Sequence, residues 1–470
     1  MAVLPFFAST PWTITVLALL LLEICLYPSI RYFAHREKGL PTIAVFSAVY
    51  AFQFALPVFT RDALVILSNK REEYLADSDV AVALIMAIVG ICALQAGFYW
   101  FAHNPFRRLI PVASLDLNKR KALLYCVLAG FLGPYLDALI PAQYQLWLSS
   151  ITRLVENQVL VVVAVLGWIV YSRKEARIYT IALYSVVLLA VIRGLSRGVL
   201  EEALVAIAVA FMVKWRYTNK VSAPAVMATI GLIIFLSPVK AGFRANYSYG
   251  DQSTIGKATT WVTDATQYWI DVVEGNDNLV EAAAPANSRA DLIHQIAYTY
   301  SMTPETVPFQ YGATYSYLAI SLIPRVLWPD KPEAGEANRF FGVSYGFTTE
   351  AGATHVVFGI SFLGEAYINF GWPGVVVILF LEGFILGLLQ YCFGEDRSGA
   401  GANTVFVAFF VFFLNGMGTS AEIVFGNILQ NVLSAYVLLL WVRERKITVI
   451  PTESGEAFMT ARAAMNSTPR

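Results

Sequence analysis

The reactive side chains of this sequence concentrate between Tyr311 and Gly374, where Arg325, Asp330, Lys331, Arg339, His355 and Glu365 stand among aromatics and glycines. The segment Ile323-Pro324-Arg325-Val326-Leu327-Trp328-Pro329-Asp330-Lys331-Pro332 has prolines at 324, 329 and 332. Proline spacing this dense forbids helix and strand and sets a rigid extended turn. The turn holds Arg325, Asp330 and Lys331 in a fixed relation, with Trp328 as a flat face for a sugar ring or the headgroup layer. The plainer alternative is a surface linker with a tryptophan anchor. Further on, Gly364-Glu365-Ala366-Tyr367-Ile368-Asn369-Phe370-Gly371-Trp372-Pro373-Gly374 leads into an apolar run. Pro373 suits the first turn of a helix, and Glu365 and Asn369, four residues apart, share a helix face. Glu365 or His355 has the chemistry of a general base toward a hydroxyl. For His355 taken alone, a packing role is the better reading.

Two further cation pairs stand at the ends of apolar runs. Arg193 and Arg197 flank the turn Arg193-Gly194-Leu195-Ser196-Arg197-Gly198. Two guanidiniums there can grip a phosphate bidentately at a membrane surface, or snorkel to headgroups. Lys240 and Arg244, in Ser237-Pro238-Val239-Lys240-Ala241-Gly242-Phe243-Arg244, follow another span and read equally as a site or a helix-end anchor. Asp77-Ser78-Asp79 has the spacing of a divalent-cation site, but beside Glu72 and Glu73 it reads as a solvated acidic loop, so no metal is expected. Glu23, Asp137 and Glu382 fall inside apolar spans on distant helices and form no proton path.

The elements that must position these groups are membrane helices. The chain has 470 residues, 57% hydrophobic and only 14% charged, with mean hydropathy +0.59. A soluble domain carries about 25% charged residues. Apolar runs of about 20 residues recur throughout, the mark of a polytopic membrane protein. Net charge is zero, which gives no case for nucleic acid. Cys25, Cys92, Cys126 and Cys392 lie in apolar segments with no CxxC, so neither a disulfide frame nor a zinc site is implied. No cofactor motif is visible.

The reading is an all-α polytopic integral membrane protein with about 11 transmembrane helices and one large extracytoplasmic loop carrying short helices. The spans fall near residues 11–30, 41–60, 80–102, 122–141, 157–171, 178–192, 199–213, 221–239, 373–393, 402–419 and 426–442. The first reads as a retained helix, since no charged region precedes it. Residues 1–239 form an N-terminal bundle, 240–372 the large loop, 373–442 the C-terminal helices and 443–470 a basic, then small and polar tail. The short loops 31–40, 104–121, 172–177, 214–220, 395–401 and 443–446 hold 18 lysines and arginines, against six in 60–79, 142–156 and 193–198. The positive-inside bias makes the first set cytoplasmic and sends the long loop outside.

Three pieces make the chain resemble the bacterial oligosaccharide repeat-unit polymerases, the Wzy-type O-antigen polymerase family. They are Leu195-Ser196-Arg197-Gly198 opening a helix, the proline-rich Ile323–Pro332 segment, and Gly364-Glu365 with Asn369-Phe370-Gly371 and Gly374 before a late helix. The likeness covers the sixth to ninth spans in motif and the rest in hydropathy. It implies an enzyme of the bacterial inner (cytoplasmic) membrane, with an extracytoplasmic active face. Its substrate would be a polyprenyl-diphosphate-linked oligosaccharide, and its product a growing surface polysaccharide. A chain-length regulator and a flippase are the partners the resemblance implies. The residues suit this chemistry independently: guanidiniums stabilise a leaving diphosphate without a metal. The expected clamp is Arg193, Arg197, Arg244 and Arg325, with Lys331 assisting. Glu365, His355 or Asp330 takes the acceptor proton, and Trp328, Tyr317, Tyr367 and Asn369 meet sugar. An O-antigen ligase shares this layout, and a lipid-linked oligosaccharide flippase is the reading from another class. A flippase would place its charges along a central cavity, whereas here they sit at the rim.

Overall fold

A computed structural model describes residues 11–35, 39–60, 65–68, 71–112, 115–132, 158–173, 177–220, 222–246, 253–275, 291–321, 323, 328, 335–354 and 358–444. The described chain is almost wholly helical. In order it forms α1 (Trp12–Ala34), α2 (Thr42–Phe54), an antiparallel hairpin of β1 (Val65–Ser68) and β2 (Arg71–Tyr74), α3 (Asp77–His103) and α4 (Lys119–Val127). Next come α5 (Gln158–Tyr171), α6 (Arg177–Ser196), α7 (Leu200–Thr218), α8 (Ala223–Leu236), α9 (Lys240–Asn246) and α10 (Thr254–Val273). The last group is α11 (Leu292–Met302), α12 (Ala313–Ser321), α13 (Glu336–Ser344), α14 (Phe362–Leu389), α15 (Gly399–Asn415) and α16 (Ala421–Val442).

Among the described residues, six helical stretches are long and apolar enough to cross a membrane: Trp12–Ala34, Thr42–Phe59, Asp77–His103, Arg177–Ser196, Phe362–Gly394 and Ala421–Val442. Gln158–Tyr171, Ala223–Leu236 and Gly399–Val411 are apolar but shorter. The sequence reading counts about eleven. The difference has physical sources: α7 carries Glu201, Glu202, Lys214 and Arg216, and the fourth expected span runs past Leu132, where the described residues stop.

The centre of the bundle is the pair α3 and α14. A Cβ on Gly97 would lie 2.0 Å from the Phe380 carbonyl oxygen, and one on Gly383 would lie 1.9 Å from that of Leu94. The two helices therefore meet backbone to backbone, the approach that small residues permit in membrane bundles. α14 itself is broken at Gly371, whose φ of 62° and ψ of −148° suit glycine alone. Leu363 and Leu379 both touch the Cβ position of Gly90, at 3.0 and 3.6 Å. In an unbroken helix those two residues would stand about 24 Å apart along the axis. The helix thus bends back sharply, and Pro373 falls in the first turn after the break, where its missing N–H costs nothing.

The stretch between α8 and α14 is no bare loop. α11 buries Leu292, Ile293, Ile296, Ala297 and Tyr298 in the same core as α3 and α14. A second, smaller core gathers Leu195, Leu200, Leu236, Phe243, Ala258, Trp261 and Ala265. The C-terminal end of α16 is pinned to the start of α4: Asn118 N–H donates to the Val442 carbonyl at 3.0 Å, and Glu444 N–H to that of Asp116 at 2.9 Å.

Candidate functional site

The first half of α14 starts at Ser361, whose side chain caps Gly364 N–H at 3.2 Å. One turn in, Glu365 is wholly buried. Its Oε1 accepts from the Thr314 hydroxyl at 2.8 Å, and its Oε2 accepts from the Ala421 N–H at 2.6 Å. Ala421 is the first residue of α16, so the carboxylate closes a helix N-terminus, where the exposed N–H groups and the helix dipole favour an anion. Asn369, one turn later on the same face, donates through Nδ2 to Thr314 Oγ1 at 2.8 Å and to the Glu365 carbonyl at 2.7 Å. Its Oδ1 accepts from Gly312 N–H at 2.9 Å. Backbone bonds from Gln310 to Ile368 and from Tyr311 to Asn369 lash the 310–312 turn to the end of this half-helix. The i, i+4 relation expected of Glu365 and Asn369 is therefore real, and it serves to tie three elements together.

Asn369 is 0% exposed and Tyr367 3%, its hydroxyl 3.3 Å from the Thr303 carbonyl. These two of the four side chains expected against a sugar are interior. Tyr317, on α12, is half-buried, and Trp328 is 39% exposed. Two polar groups near Glu365 find no hydrogen-bond partner among the described residues, the Tyr315 hydroxyl and Ser420 Oγ. Asp77 and Asp79 stand in the first turn of α3, an ordinary place for acids. No group of three or more potential metal ligands occurs among the described residues.

The Arg193–Arg197 turn lies in the second core. Its backbone is closed by Arg197 N–H to the Arg193 carbonyl at 3.2 Å and Val199 N–H to that of Gly194 at 2.9 Å. Gly194 is required there, because a Cβ would come within 2.6 Å of the Ala203 nitrogen. Leu195, between the two arginines, packs in one cluster with Phe243, the residue before Arg244. Phe243 stacks on Trp261 with centroids 4.9 Å apart, and the Trp261 indole donates to the Leu236 carbonyl at 3.1 Å. The fold thus brings the 193–197 turn and α9, about 45 residues apart in sequence, onto one small core. Arg197 is exposed and lies 3.7 Å from Glu202. Arg193 is half-buried and Lys240 buried. The Arg244 side chain, Arg325, Asp330, Lys331 and His355 lie outside the described residues.

Three polar arrangements escape a reading by motif. Asp291 caps α11 and holds His294 Nδ1 at 2.6 Å, both side chains buried. The spacing Asp-x-x-His at a helix start was the available signal. Arg216 donates through Nε to Asn403 Oδ1 at 2.9 Å inside the bundle, a contact across 187 residues that no local pattern announces. Arg339 on α13 bonds Glu350 at 2.7 Å and Glu336 at 3.2 Å; the Glu350 bond above all raises the guanidinium pKa further.

No curated protein and no solved structure matches the chain. A family model described as Domain of unknown function (DUF8712) matches residues 60–449, most of the length, and the chain belongs to that family.

Proposed function

We propose that this protein is a membrane glycosyltransferase that polymerises polyprenyl-diphosphate-linked oligosaccharide repeat units on the extracytoplasmic face of the bacterial inner membrane. The observation that carries the reading is the shared small core under the 193–197 turn and α9. It gathers the backbone positions of Arg193, Arg197, Lys240 and Arg244 at one end of α6, α7 and α8. Cations drawn together from separate segments at the end of apolar helices suit a lipid diphosphate, whose charge grows as the sugar leaves. Arg325 and Lys331 join this clamp from the proline-rich turn. Trp328 and Tyr317 offer ring faces to the saccharide. Glu365, sealed and doubly bonded, acts here as a positioning residue, which leaves His355 or Asp330 to accept the acceptor proton. The topology that goes with the reading has about eleven spans, with the 193–197 turn and the 240–372 segment outside and the C-terminus inside. A chain-length regulator and a flippase are its proposed partners.

The test is the profile of lipid-linked saccharides in cells lacking the protein. Single repeat units accumulating on the outer leaflet are the expected result. Full-length chains left on the lipid mean a ligase instead, and units trapped on the inner leaflet a flippase. An unchanged profile ends the polysaccharide reading.

A further inference from the structure

The far end of the second half of α14 carries a different feature. Trp372–Leu389 spans about 27 Å from the Gly371 break. Beyond it a cavity of about 230 Å³ opens between the C-terminal ends of α1, α3 and α14 and the N-terminal end of α2. The space is roomy enough for a phosphate headgroup and is open on one side. Its polar wall holds the guanidiniums of Arg31 and Arg107 and the His103 imidazole, with Glu395 as the one carboxylate among its lining residues. Glu395 is itself engaged, 2.8 Å from Arg397. Both arginines are braced by rings: Arg31 lies over Tyr99 at 5.2 Å and Arg107 over Tyr391 at 5.9 Å. His103 Nδ1 is 2.8 Å from the Tyr99 carbonyl. The Gln390 carboxamide lines the same space, and its oxygen is buried without a partner among the described residues. The deeper wall is apolar, from Phe98, Ile43 and Gly387.

Arginines at helix ends commonly snorkel singly to the headgroup layer. Here two from different elements, with an imidazole and the Gln390 carboxamide, whose NH2 group can donate to an anion, converge on one walled space. We propose that this cavity binds the phosphate of an anionic headgroup, the guanidiniums taking its oxygens and the chain or tails leaving through the open side. The ligand chemistry is a phosphate ester, and the site is separate from the polymerisation reading and stands without it.

The experiment uses the full-length protein in detergent. The probes are dihexanoyl-phosphatidylglycerol below its micelle concentration, dihexanoyl-phosphatidylcholine and inorganic phosphate, read by thermal shift and by titration. The phosphatidylglycerol probe is expected to raise the melting temperature, with the zwitterionic lipid clearly weaker. The double variant Arg31→Gln, Arg107→Gln should weaken binding about tenfold or more, the scale of a lost charged hydrogen bond. Arg108→Gln, on an exposed neighbour outside the cavity, should change nothing. If inorganic phosphate stabilises as strongly as the lipid, the phosphate site stands and its ligand is a soluble ester. Should the double variant fail to fold, Glu395→Gln decides: binding tightened a few-fold supports the site, and unchanged binding overturns it. No stabilisation by any probe, or full binding by a folded double variant, also overturns it.

Discussion

The Glu365 node and the Arg193–Arg197 turn both looked reactive in the sequence, and the fold treats them in opposite ways. At Glu365 each carboxylate oxygen has a donor, and Asn369 has both its amide groups committed. Nothing solvent-facing is left, so the polarity goes into holding α12, α14 and α16 together. At the arginine turn the apolar residues form the interior, from Leu195 to Trp261, while Arg197 stays exposed. A buried carboxyl with a donor on each oxygen reads as architecture, because removing it strands those donors. Exposed charge raised on a small rigid core is what a ligand can use. The lesson is that density of polar residues alone does not separate the two cases, but the direction of their hydrogen bonds does.

The largest effect is expected at the helix pair on which the Glu365 node depends, α3 and α14. Gly383→Leu forces a side chain into the Leu94 carbonyl, 1.9 Å from where its Cβ would lie. The backbones of α3 and α14 must separate, at a cost of about 3 kcal/mol or more. Thermal unfolding in detergent and the yield of folded protein should both fall. An unaffected Gly383→Leu protein would mean that α3 and α14 do not meet as described.

Trp261→Ala tests the arginine side. It removes the centre of the small core and the indole bond to Leu236, worth about 3 kcal/mol by large-to-small precedent. Hydrogen exchange should quicken across 193–200 and 240–265 and stay slow in α3 and α14. Loosening of the whole molecule would show that the two cores are one cooperative unit.

Glu365→Ala strands the Ala421 N–H and the Thr314 hydroxyl in a dry setting and should lose about 2–3 kcal/mol. Glu365→Gln keeps one acceptor and should lose roughly half as much. If polymer synthesis tracks the folded fraction in both variants, the residue positions. If Glu365→Gln folds like the wild type and makes no polymer, the node is catalytic and not architectural.

How much of this was legible beforehand varies by element. Six of the eleven expected spans were, because lipid imposes its thickness on the sequence directly. So were the Glu365 and Asn369 pairing and the restart at Pro373, both local rules of helix geometry. The burial of α11 was not, because its apolar residues sit on one face among His294, Gln295 and Thr299, and a hydropathy average dilutes them. Nor was the end point of Glu365. Its partner Ala421 lies 56 residues on, and a backbone N–H carries no mark in a sequence. The small core under Arg197 stayed hidden for the same reason: Leu195, Phe243 and Trp261 belong to three separate helices, and only packing joins them.

The smallest structural effect is the most discriminating. Arg197 is about half exposed, and its 3.7 Å pairing with Glu202 is a surface contact that contributes little in water. Arg197→Lys keeps the charge and loses the planar fork, so stability should change by less than about 0.5 kcal/mol. A bidentate hold on a diphosphate is another matter, since lysine offers one point charge where the guanidinium offered two parallel donors. On the proposed function, polymerisation by membranes carrying the variant should fall about 10²-fold at unchanged protein level, in the range seen when a donor to a developing anion is lost. Arg193→Lys should behave alike if the two act as one grip, and the double variant should then be little worse than either single one. Full activity in both single variants would make the pair a helix-end anchor. The arginine turn would then join the Glu365 node as architecture, and the diphosphate grip would have to rest on Lys240, Arg244 and the proline-rich turn.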